Sequence, residues 1–316
     1  MNRGLEGATV WKIPACAIAY PAGVMISGIA FRLLGFPLPA SPIPHATGPQ
    51  HPMLLLLAAS LLLAVGTAPL AYGLRGSYAS RAVVLAIFVY VCVSLNNIIE
   101  ATRFMAAYAR GGALNLAVFQ ALPCVLFALA AALWLGSNIK SSSFMASLED
   151  FFSLRGLLSC SWRIILAVLC FPAIYFVFGM SVAPIVVPYY RDSRFGLTIP
   201  SSATVLSTAA GRSVLYLLAT LPVLILWNGT RRRLAVVLGL ALTVMVGWFG
   251  LLQASFLPTV LRVVHSVEIC ADSFVYALAL VLLLTGRRGV AVSQSSNGLL
   301  SELSPDRSRQ NKVPRS

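Results

Sequence analysis

Apolar residues run along this chain in blocks of bilayer length, and charged residues fall mostly between the blocks. Eight such runs are legible, roughly 13–33, 52–73, 82–102, 113–136, 162–183, 213–229, 234–254 and 259–285. About 20 apolar residues carry a helix across the ~30 Å hydrocarbon core. Inside lipid every backbone N–H and C=O must be paired within the protein, and a helix does so locally. The runs are too uniformly apolar for barrel strands, which alternate. The pattern predicts an all-α, polytopic membrane protein with about eight transmembrane helices. The run from Ile13 is as long as a true span, so it reads as a span rather than a cleaved signal.

The segment 141–158 differs in kind. Phe144, Leu148, Phe151 and Phe152 recur at helical spacing, with Glu149 and Asp150 between them and Arg155 just beyond. This predicts a cytoplasmic amphipathic helix joining spans four and five. A proline-rich outer loop, about 35–51, precedes span two, and a second long outer loop is expected over about 184–212. There Tyr189 and Tyr190 fit an interfacial aromatic belt. Residues 1–288 thus form one transmembrane domain. The Ser-rich, basic segment 289–316 lacks apolar periodicity and is expected to be disordered.

Composition changes the picture in one respect. Only 10% of residues are charged, against about 25% in a soluble domain. Yet the net charge is +14, which would suit nucleic acid. The placement of the charges argues against that partner. With the N-terminus in the cytoplasm, eight crossings put most basic residues on the cytoplasmic side: Arg3, Lys12, Arg75, Arg81, Lys140, Arg155, Arg163, Arg231, Arg232, Arg233 and those of the tail. The bias predicts an N-in/C-in topology in a bacterial plasma membrane. It assigns the basic tail to anionic lipid at the cytoplasmic face. The six cysteines form no CxxC and read as small buried hydrophobes.

Two spans carry polar stripes. In the eighth, taking about 100° per residue, Arg262, His265, Glu268, Asp272 and Tyr276 fall within one arc of about 120°. In the third, Asn96, Asn97, Glu100 and Arg103 share a polar side. Lipid cannot solvate such groups, so both stripes must face protein or water. The simplest arrangement points them at each other across a cavity open to the outside. Glu100, Glu268 and Asp272 would face Arg103, Arg262 and His265, which is also what a structural salt-bridge cluster would contain.

Three functions use these residues. A small transporter or permease-like protein would bind an ion or small-molecule ligand with Glu100, Glu268, Asp272 and His265, with Arg262, Arg103, Asn96 and Asn97 as partners. A membrane-embedded hydrolase would use the same cluster, with His265, Glu268 and Glu100 as candidate metal ligands completed by His45 or His51. The His-x-x-Glu spacing is weak, since neither HExxH nor a second intramembrane histidine occurs. A non-catalytic assembly or immunity component would offer the stripes to a partner helix. No cofactor motif is identified. No internal repeat is claimed either: Asn97-Ile98-Ile99-Glu100 echoes His265-Ser266-Val267-Glu268, which pairs spans three and eight, whereas a four-plus-four duplication would pair three with seven.

Overall fold

The computed structural model describes residues 11–39, 51–105, 112–136, 144–153 and 157–285. In chain order the helices are α1 (Lys12–Leu33), α2 (Pro52–Gly73), α3 (Tyr78–Phe104), α4 (Ala113–Trp134), α5 (Phe144–Ser153), α6 (Leu157–Arg191), α7 (Ser202–Leu226), α8 (Arg231–Gln253) and α9 (Thr259–Leu284). All but α5 are long and apolar enough to cross a membrane, and no β-strand forms among the described residues. Large apolar side chains such as Ile29, Leu133, Leu169, Val177, Val267 and Leu282 stay exposed on the outside of the bundle. That much exposed apolar surface is what lipid would cover. The protein is an all-α, multi-pass membrane protein.

Local chemistry sets the helix ends. Pro52 occupies the first turn of α2, where its missing N–H is not needed. Ser77, Ser201 and Thr230 cap α3, α7 and α8 by accepting the N–H of Ser80, Thr204 and Arg233. Inside the spans, the hydroxyls of Ser60, Thr67, Thr220 and Thr243 donate to carbonyls one turn back. This leaves them satisfied without water. Helix α5 forms as expected, with Phe151 buried and Phe144, Leu148 and Phe152 packed on the core. Its apolar side covers the bundle, with contacts to α6 and α7.

One expected loop is mostly helix. Helix α6 runs through Pro172, Pro184 and Pro188 to Arg191, 35 residues or about 52 Å. The connection expected over 184–212 shrinks to 192–201, because α7 begins at Ser202. In that connection the exposed Asp192 carboxylate accepts from the side chain and backbone N–H of Arg194 at 2.6–3.0 Å. These bonds hold Asp192 below its ordinary carboxylate range and staple the turn. His45 and the tail 289–316 lie outside the described residues.

The bundle is a duplication. Leu74, after α2, forms an antiparallel bridge with Trp227, after α7. Two hydrogen bonds flank it, Arg75 N–H to the Leu226 carbonyl (3.0 Å) and Asn228 N–H to the Gly73 carbonyl (2.9 Å). Swapping 73–75 for 226–228 exchanges the two bonds, as a local two-fold axis through the Leu74–Trp227 pair would. The same constant offset in sequence relates the caps Ser77 and Thr230, and the π-helical turns Tyr90–Leu95 and Thr243–Trp248. Packing repeats as well. Helix α1 lies on α2 and α4 as α6 lies on α7 and α9, α3 on α4 as α8 on α9, and α2 on α8 as α3 on α7. The loops that meet follow α2 and α7, so these helices run the same way and the two halves are parallel repeats. Spans three and seven are thus partners, and the Asn97–Glu100 and His265–Glu268 echo is unrelated to the repeat.

Close helix approach depends on a few glycines. A Cβ on Gly247 would come within 2.7 Å of Ile269 on α9, and one on Gly66 within 2.8 Å of Val244. Small residues bring helices together where no hydrophobic effect drives them. Gly247→Val should therefore lower stability by about 1–3 kcal/mol through overpacking. Gly28→Ala, where a Cβ meets nothing within 4 Å, should be neutral or stabilising by up to ~1 kcal/mol. Thermal unfolding midpoints in detergent measure both.

Candidate functional site

Arg212 lies ten positions into α7 and is 3% exposed. A guanidinium in that setting needs every available partner. Its Nη2 lies 3.0 Å from Glu100 Oε2 on α3, and its Nε donates to Asn96 Oδ1 at 2.7 Å. The Asn96 amide in turn donates to the hydroxyl of Tyr216, one turn along α7. Tyr175 on α6 donates to the other Glu100 oxygen at 3.1 Å. The guanidinium also stands 5.3 Å from the Tyr175 ring centroid and 5.6 Å from that of Phe171, within cation–π range. Helices of both halves are tied together at this one cation.

Across the same cavity lies the stripe of α9. His265 Nδ1 is 2.7 Å from Glu268 Oε2, and its Nε2 is 3.3 Å from the hydroxyl of Tyr190 on α6. One turn deeper, Asp272 accepts from Ser273 Oγ at 3.4 Å. Glu268 and Asp272 are both buried. The cavity has a volume of about 70 Å3 and is walled by Phe104, Phe171, Tyr216 and Tyr276 as well as the charged groups. Three carboxylates face one arginine and one histidine. The balance is negative when His265 is neutral, which suits a cation.

The expected stripes are brought together in part. Glu100, His265, Glu268 and Asp272 line the cavity, and Asn96 braces it through Arg212. Asn97, Arg103 and Arg262 do not join them. Successive residues on a helix differ by about 100°, so Asn97 turns away from Asn96. Its amide donates to the Val93 carbonyl and it faces a different cavity. Arg103 is exposed in the last turn of α3. Arg262 lies in the first turn of α9, where its guanidinium reaches Thr259 at 3.5 Å. The cation at the centre is Arg212 instead. The metal set proposed for a hydrolase does not converge: among the described residues, no three of His, Cys, Asp or Glu are placed to hold an ion. His51 lies at the start of α2, and the Glu100 carboxylate is turned toward Arg212 and Tyr175.

Sequence reasoning missed Arg212, Tyr175, Tyr190 and Tyr216. A usable signal for the first was present. Pro200-Ser201-Ser202 followed by Thr204 is a helix-start signature, and a helix from Ser202 carries Arg212 about 15 Å inward.

The repeat gives this site a counterpart, where α8 meets the helices of the first half. At the constant offset, Glu100, Arg212, Asn96 and Tyr216 correspond to Gln253, Ala59, Phe249 and Leu63. The counterpart cavity, about 620 Å3, is lined by Gln253 and Phe249 with Tyr20, Leu56, Asn97 and Gln120 among others. Among the described residues, no charged one lines it.

Fold and site together define a multi-pass membrane protein built from two parallel four-helix repeats, with a charged cavity where α3 meets the helices of the second. No protein-family model matches the chain, and no curated protein or solved structure matches it.

Adjacent asparagines provide a test of this geometry. Asn96→Leu strips the buried Arg212 of an acceptor and should cost about 1–3 kcal/mol. Asn97→Leu loses only a bond to its own helix and should cost under ~1 kcal/mol. Comparison of their unfolding midpoints with wild type decides the assignment.

Proposed function

We propose that the protein is a small permease-type transporter whose cargo or coupling ion is a small cation. The observation that carries this reading is the excess of carboxylates in an aromatic-walled cavity where α3 of the first repeat meets the helices of the second. Burying Glu268 and Asp272 with too few counter-charges is costly, and intramembrane ionisable groups cluster where ions or protons pass. In transporters built from parallel repeats, the site lies near the midplane at the repeat interface, and rocking of one repeat against the other gives alternating access. On this reading Glu268 and Asp272 hold the cation, His265 is their titratable neighbour, and the Arg212–Glu100 pair fixes the two halves around the site. The distribution of basic residues supports N-in/C-in insertion in a bacterial plasma membrane, with the basic tail at anionic lipid.

A second reading has its own observation. His265 is hydrogen-bonded on both sides, between Tyr190 and Glu268. An oriented imidazole next to a hydroxyl is an acid–base arrangement that an intramembrane hydrolase would use.

The experiment is uptake of radiolabelled methylammonium into proteoliposomes. Wild type should accumulate it, Glu268→Gln should lose at least about tenfold of the rate, as expected for an intramembrane charge with a functional role, and Arg262→Gln should retain it. Equal rates in wild type, Glu268→Gln and empty liposomes would contradict transport of this cation class. Hydrolysis of a lipid ester that depends on His265, without uptake, would favour the second reading.

A further inference from the structure

The charged cavity is bordered by an apolar groove of about 250 Å3, set between the C-terminal half of α6 and the start of α7. Phe104, Tyr175, Tyr190, His265 and Glu268 line both spaces, so the groove leads directly to the acidic stripe. Its other walls are apolar, among them Phe176, Val182, Val186 and Val205. Met180 and Ile199, at its edge, are 69% and 53% exposed on the outside of the bundle. Exposed apolar surface of this kind is what lipid would cover, so on the membrane reading the groove mouth faces the bilayer. At its floor stands Gly179, where a Cβ would lie 3.7 Å from Glu268 Oε1. A glycine there leaves the carboxylate uncovered on the groove side.

We infer that the cavity receives its ligand laterally from the bilayer, and that the ligand is a primary amine carrying an alkyl chain. This rests on the cation-binding reading above and adds the route and the chain. The ammonium head suits the carboxylates and the aromatic walls, and a volume of about 70 Å3, several times the ~10–15 Å3 that one water needs, admits a primary ammonium group. The chain occupies the groove, where a neutral head would leave Glu268 and Asp272 without compensation.

The test uses full-length protein in phosphatidylcholine nanodiscs and thermal stabilisation by three probes: methylammonium, dodecylamine and dodecanol. Dodecylamine should act at a concentration at least about tenfold below methylammonium, since each buried CH2 contributes ~0.8 kcal/mol, and dodecanol should not stabilise. Dodecylamine also concentrates in lipid, so the decisive comparison is Gly179→Leu, which plugs the groove floor, with Val205→Phe as a second plug from the α7 wall. Each should bring dodecylamine close to methylammonium, and Val205→Phe, at a position that does not line the charged cavity, should leave methylammonium unchanged. If the chain-length advantage persists in both plugged variants, or dodecanol stabilises as well as dodecylamine, the lateral route for an amine is wrong. If methylammonium alone stabilises wild type, the cation site stands and the bilayer route falls. If neither amine stabilises wild type, and Glu268→Gln responds like wild type, the cation reading falls with it.

Discussion

A buried arginine in a membrane bundle constrains everything around it. Arg212 cannot be left to lipid, and its desolvation is tolerable only with partners at hydrogen-bond distance. It finds them on α3, in Glu100 and Asn96. That choice couples the first repeat to the second at one point and fixes how α3 is rotated. The rotation in turn directs Glu100 into the cavity and Asn97 out of it. Tyr175 and Tyr216 are drawn in by the same need, one on the carboxylate and one on the amide. The position of α6 follows, because Tyr175 holds its middle and Tyr190 its end against the cavity.

Duplication explains the scaffold, and the charges explain the asymmetry. The two repeats share caps, π-helical turns and the paired loops at Leu74 and Trp227. A π turn leaves one position without its regular i→i−4 bond and re-aims the residues after it, and such turns often mark functional segments. In α3 the residues that follow are Asn96 and Glu100. In α8 they are Phe249 and Gln253. The same backbone device therefore presents a charged face in one half and a neutral one in the other. Where Arg212 stands in α7, α2 has Ala59, and without the cation there is no call for a carboxylate opposite.

Much of this was legible in the chain. Helix length and apolarity are set by the bilayer, so the spans are plain, and on α9 the stripe of His265, Glu268 and Asp272 follows from helical periodicity alone. The α6–α7 connection was obscured by physics that differs between water and lipid. Pro184 and Pro188 read as helix breakers, yet a helix in apolar surroundings can absorb a lost hydrogen bond rather than expose more backbone. Treating them as loop residues put Tyr190 in the outer loop, and starting the next span at 213 rather than Ser202 put Arg212 there too, which left Arg103 and Arg262 as the apparent counter-ions. Those two are close to the stripes by angle but lie at helix ends. The repeat left a trace too. Ala82-Val83-Val84-Leu85 recurs as Ala235-Val236-Val237-Leu238, and Tyr20-Pro21-Ala22 resembles Phe171-Pro172-Ala173. Short apolar matches carry little weight in a chain this rich in Ala, Val and Leu, and only the paired loops make them informative.

The claim on which the account rests is that Arg212 and Glu100 act as one unit across the repeats. A double-mutant cycle with Arg212→Met and Glu100→Gln, read by SDS-driven unfolding in mixed micelles, measures it directly. Residues in one buried network should couple by about 0.5–3 kcal/mol, with the second substitution costing far less once the first is made. Additive losses, within ~0.3–0.5 kcal/mol, would mean that the two groups do not meet in the membrane and would contradict the site built on them.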